Sequence, residues 1–229
     1  MLTKIVITAL LAGALAGLFV FAAHLVTTSP LIIQAEVYEN GGSHSHASPE
    51  TAAEAHHGAT NRASEGTFKR HALTLLTDIL ASIGFAFVLT GAVALSGREV
   101  DAHKGLIWGL CGFAVFHASA SLGLPPELPG MQAANITERQ IWWSSTALAT
   151  TAGLALVFFA RAPWFKAVGV GLILLPHIVG APTHELTASA VPAELAAKFA
   201  AASLVVAGLF WLLLGGLTGY FYKRCRQTA

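Results

Sequence analysis

Imidazole nitrogens and carboxylate oxygens are the ligands that divalent ions such as cobalt, nickel and zinc accept. This chain of 229 residues carries 10 histidines. His117 lies inside the uncharged run Gly105–Gly123, about 6 residues, or roughly 9 Å of helix, before its end. His24, Asp78 and His177 lie in other apolar runs. An ionisable side chain in hydrocarbon costs a few kcal/mol unless it faces a partner or water, so each of the four is a candidate metal ligand. The polar stretch 27–70 adds His44, His46, His56 and His57, and two connectors add Glu127 and His184.

The elements that must position these groups follow from composition. The chain is 55% hydrophobic and 11% charged, against roughly a quarter charged in ordinary soluble domains. That composition fits an all-α, polytopic helical bundle in a membrane. A net charge of +1 and the lack of a basic stripe argue against a nucleic-acid partner. Cys111 lies in a span and Cys225 in the basic tail, so free thiols are expected. Apolar runs place about six transmembrane helices at 5–26, 72–95, 105–123, 141–160, 165–181 and 199–222 of a single domain. The first run exceeds the ~7–15 residues of a signal-peptide core, so it is expected to remain as a helix. Segment 27–70 shows neither helical nor strand period and is expected to be a polar, partly disordered loop. Pro125, Pro126 and Pro129 end the third span, and Trp142-Trp143 at the start of the fourth suits the headgroup zone. Gly13-xxx-Gly17, Gly105-xxx-Gly109 and Gly215-xxx-Gly219 permit close helix approach.

Charge orients the bundle. With the N-terminus inside, the inner segments hold Lys4, Arg98, Lys104, Arg161, Lys166, Lys223, Arg224 and Arg226. The outer ones hold Arg62, Lys69, Arg70, Arg139 and Lys198, most of them in the long loop. The positive-inside rule then gives cytoplasmic termini and a periplasmic histidine-bearing loop. On this register His24, Asp78, His117 and His177 fall at similar depth toward the outside. Such a group, beneath a loop rich in histidine, reads as a capture region for a divalent ion. Pro176 frees a backbone carbonyl nearby, as irregular helices lining cavities do.

Blander readings stand beside this one. A lone histidine in a bundle serves as an interhelical hydrogen-bond group, and Asp78 could simply pair with a neighbouring histidine. Two histidines at equal depth could also be the axial ligands of a haem in an electron carrier. No P-loop, no H-E-x-x-H and no nucleophile elbow occurs, so no enzyme activity is expected and transport would use a gradient, a partner or passive flow.

Several phrases resemble a known family. They are His71-Ala72-Leu73-Thr74-Leu75-Leu76 with Asp78, Trp108-Gly109-Leu110 through Phe116-His117, Leu122 to Gly130 (LGLPPELPG), Gln140-Ile141-Trp142-Trp143, Leu175 to Pro182 (LPHIVGAP), and Val191 to Leu195 (VPAEL) followed by Phe199. Together they resemble the CbtA family of predicted cobalt transporter subunits over nearly the whole chain. The resemblance implies a multi-pass protein of the bacterial inner membrane that supplies cobalt(II) for cobalamin synthesis. It also implies a small single-span companion subunit (CbtB-like) with histidines of its own. Cobalt would be the transported ion, with no tightly bound cofactor; a non-binding scaffold subunit is the alternative within the same assembly. The resemblance supplies no established ligands, so the site residues rest on depth.

Overall fold

Small residues decide which helices touch. In the computed structural model, which describes residues 2–41, 59–183 and 189–227, the elements in order are α1 (Leu2–Val26), α2 (Thr28–Gly41), α3 (Ala59–Leu95), α4 (Ala102–Phe113), a π turn (Ala114–Ala118), α5 (Ser119–Ser121), α6 (Ile136–Phe159), α7 (Pro163–Val179) and α8 (Ala193–Gln227). No strand occurs among the described residues. Lipid is as apolar as leucine, so helices associate through close backbone packing rather than through exclusion of water. Gly13 and Gly17 press against the backbone of Ile83 and Ile79, which makes α1 and α3 antiparallel neighbours. Gly105 and Gly109 face Gly215, Gly219 and the Trp211 carbonyl, which does the same for α4 and α8. Gly153 meets Gly169 between α6 and α7. The three glycine pairs expected to permit close approach therefore lie in the two seams that build the bundle. The core between α1, α3 and α8 is alanine-rich on α1 (Ala9, Ala12, Ala16) and is filled by Leu89, Phe210, Trp211 and Leu214.

Among the described residues, four helices are long and apolar enough to cross a membrane: Leu2–Val26, Phe68–Leu95, Ile136–Phe159 and Ala193–Cys225. The other two expected spans take different forms. The third is a composite of α4, the π turn and α5, and the fifth is the 17-residue helix α7. Segment 27–70, expected to be an irregular loop, is helical at both ends. α2 follows α1 after an elbow at Thr27, whose N–H and hydroxyl both donate to the Ala23 carbonyl at 3.0 and 2.6 Å. Pro30 falls in the first turn of α2, where its missing N–H has no helical partner to lose. Tertiary contact explains this helix better than periodicity does. Ile32 and Ala35 pack with Leu128 and Val191, which come from two remote connectors, and with Leu195 and Phe199 of α8. At its other end the segment contributes the first residues of α3, which begins at Ala59. The histidines His44, His46, His56 and His57 lie outside the described residues, as does His184.

The antiparallel seams gather one set of connectors at one end of the bundle. Asp101 caps α4 by accepting from the Lys104 N–H at 3.0 Å, a bond that holds its carboxyl below the usual carboxylate range. Arg98 reaches α6, donating to the Phe158 carbonyl at 3.4 Å and lying 4.5 Å from the centre of the Phe159 ring. His103, Lys223 and Arg224 surround the α4 start nearby. The opposite end holds α2, the proline-rich connector and the starts of α6 and α8.

The seams predict a sharp contrast between glycines. A Cβ on Gly109 would collide with the Trp211 carbonyl, whereas one on Gly91 meets nothing within 4 Å. Gly109→Ala should cost about 1–3 kcal/mol through overpacking, while Gly91→Ala should be neutral or stabilise by up to about 1 kcal/mol. Thermal unfolding of the two variants in the same detergent checks the difference.

Candidate metal-contact site

The α1–α3 seam brings His24 and Asp78 together. Side chains in a helix lean toward its N-terminus, so on antiparallel neighbours His24 and Asp78 lean toward each other across the Gly17–Ile79 contact. The His24 Nδ1–H donates to Asp78 Oδ2 at 3.2 Å, and the aspartate side chain is 14% exposed against 32% for the imidazole. A carboxylate bound to Nδ1 fixes the tautomer and leaves Nε2 with its lone pair for an ion. Asp78 thus orients the His24 imidazole and raises its basicity, as carboxylates behind metal-bound histidines do.

His117 has a different surrounding. It sits on the π turn, and its Nδ1 accepts from the Trp211 Nε1–H at 3.0 Å. That bond occupies the Nδ1 lone pair, so in the neutral ring Nε2 carries the proton and neither nitrogen is open to an ion. Phe113 stacks beside the ring at 6.3 Å between centroids, and Phe85 is 6.5 Å away. Phe85 is 7 residues beyond Asp78 on α3, about 10 Å farther along the helix. His117 therefore faces the aromatic centre of the bundle rather than Asp78.

The π turn has a local cause. The Ser119 N–H bonds to Ala114, five residues back, leaving the Val115 carbonyl without its α-helical donor. The Ser119 hydroxyl takes that carbonyl at 3.5 Å and accepts in turn from the Thr150 hydroxyl of α6 at 3.1 Å. An inserted residue is thereby satisfied by two side-chain hydroxyls, a device frequent at functional sites.

His177 occupies a third place, on α7 beside α6. Its ring lies edge-on to Trp142 at 6.0 Å, and its Nε2 is buried with no hydrogen-bond partner. Trp142 is buried too, and its Nε1–H donates to the Pro176 carbonyl at 3.3 Å. Gly123 makes room for the Trp142 ring and for Ala181. Glu127 is an ion-pair partner of Arg139 at 2.8 Å. Among the described residues no three His, Cys, Asp or Glu side chains form a group that could hold an ion. The four intramembrane candidates therefore make one pair and two separate histidines. Nor do two of these histidines face each other as haem ligands would, since each faces another partner. Sequence reasoning missed Trp211 and Arg139, whose partners lie 94 and 12 residues away and share no periodic signal with them.

Apolar helices of spanning length, packed through glycine and carrying a histidine–aspartate pair, define a helical membrane protein. The chain belongs to the CbtA family, described as a probable cobalt transporter subunit, which matches residues 2–223. No curated protein and no solved structure matches it.

The Trp211–His117 bond gives a test of the role read for His117. Trp211→Phe strands the Nδ1 of a half-buried imidazole and should cost about 1–3 kcal/mol. Adding His117→Phe should recover part of that loss, because both polar groups are then gone. Unfolding midpoints of the two single variants and the double variant measure the coupling.

Proposed function

We propose that this chain forms the path by which cobalt(II) crosses the bacterial inner membrane, supplying the metal for cobalamin synthesis. Membership of the CbtA family supports cobalt as the cargo and a role as one subunit of a transporter. The His24–Asp78 pair is the observation that carries the mechanism. His24 Nε2 offers the first protein ligand, with Asp78 behind it, and water completes the coordination of a passing ion. A single imidazole holds an ion weakly, which suits conduction, since an ion must leave as readily as it arrives. His177, with a buried nitrogen lacking a partner, is the next candidate contact, on α7. The histidines His44, His46, His56, His57 and His184 raise the local metal concentration on the periplasmic side, and a small single-span CbtB-like subunit completes the transporter. The bundle spans the membrane six times with cytoplasmic termini, an orientation supported by the basic residues at the Arg98–Lys104 end.

Uptake of radioactive cobalt at limiting concentration tests this reading. Asp78→Asn should raise the half-saturating cobalt concentration about tenfold, the effect of losing a carboxylate behind a ligating histidine. His24→Ala should do at least as much. Unchanged uptake by both variants at normal protein level would remove the pair from the path. Equilibrium dialysis of cobalt against the purified chain without its companion separates a conducting subunit, which binds, from a scaffold, which does not.

A further inference from the structure

A groove of about 980 Å³ opens between α3, α4 and α6 at the end of the bundle away from His24 and Asp78. Its walls are apolar: Ala92 and Leu95 from α3, Ile107 and Trp108 from α4, and Leu154 and Ala155 from α6. Arg98, Glu99 and Lys104 stand at its mouth, and Phe116, Val115 and Trp211 close its floor. From Lys104 to Phe116 is 12 residues, about 18 Å of helix, close to one leaflet of a hydrocarbon core about 30 Å thick. A transmembrane helix from another protein would require a channel through both leaflets, and this one stops at Trp211.

The mouth is charged and held. Arg98 is fixed against α6 by the Phe158 carbonyl and the Phe159 ring. Lys104 donates one proton to the Glu99 carbonyl at 3.0 Å, which leaves its other two N–H groups for a ligand. Glu99 is itself engaged, and the two cations outnumber it. Apolar walls one leaflet deep beneath a net positive rim have the chemistry of a phospholipid site. Basic pockets between transmembrane helices recognise anionic headgroups in this way.

We propose that the α3–α4–α6 groove is a binding site for an anionic phospholipid, its acyl chains along Ala92, Cys111 and Ala155 and its phosphate between Arg98 and Lys104. Bound lipid fills the gap between α6 and the α3–α4 pair, joining halves of the bundle that otherwise meet mainly at the π turn. This site is independent of the metal path, and its test does not read transport.

Native mass spectrometry of the full chain in mild detergent, with equal amounts of dioleoyl phosphatidylglycerol and dioleoyl phosphatidylcholine, measures the preference. The wild-type protein should retain the anionic lipid at least fivefold over the zwitterionic one, about the factor that one interfacial cation supplies. Arg98→Gln with Lys104→Gln should abolish the preference while some lipid still binds. Ala155→Trp, on an exposed groove wall, should reduce retention of both lipids, and Lys166→Gln, away from the groove, should change nothing. Cys111 lines the groove, so phosphatidylglycerol should slow its reaction with a membrane-permeant maleimide in unmutated protein. Equal retention of the two lipids overturns the proposal, as does a preference that survives the double substitution. Protection of Cys111 by a copurifying polypeptide in delipidated protein also overturns it.

Discussion

The approach of α4 to α8, backbone against backbone at Gly105, Gly109, Gly215 and Gly219, is the constraint on which the bundle depends. Water drives soluble helices together, but lipid offers no such push, so contact area and short interaxial distance must supply the attraction. Removing four side chains at the seam lets the helices close to near backbone contact. Gly112 then accepts the Trp211 ring directly, and that ring becomes the hub against which Phe85, Phe116 and His117 pack. The seam therefore sets the position of the tryptophan, and the tryptophan fixes the imidazole.

A second seam, between α1 and α3, governs the histidine–aspartate pair. Without Gly13 and Gly17 against Ile83 and Ile79, the two side chains would not be held at hydrogen-bond distance. The same sort of small residue thus performs two tasks, a rigid aromatic core on one side of α8 and a polar contact on the other side of the bundle. The chemistry is sparse because each imidazole has a distinct surrounding: a carboxylate for His24, an indole for His117, and the edge of Trp142 for His177.

Composition and apolar runs made the all-helical membrane architecture legible, and the glycine spacing identified the seams. Those signals are local, and local signals survive in a lone sequence. The helix α2 was not legible, because Ile32 and Ala35 are held by Leu128 and Val191, partners known only once the chain is folded. The π turn escaped for a related reason, since its stability comes from Thr150 reaching Ser119 across 31 positions. The histidine–aspartate contact was foreseeable only as one alternative for Asp78, while shared depth alone overstated how many groups would meet. Depth counts residues along each helix, whereas convergence also requires the right angular face.

The widened turn at Ala114–Ala118 has a consequence for the helix that contains it. An extra residue in one turn offsets the two segments of the rod angularly, so α5 and the proline connector beyond it point elsewhere than a uniform spiral would direct them. Excising one residue from this turn would restore regular winding and swing everything downstream by about 100° about the axis. Ser119 would leave Thr150, and the Glu127 loop would be carried off its seat against α2. Chain length between Gly105 and Pro125 is therefore as strict a specification as side-chain identity.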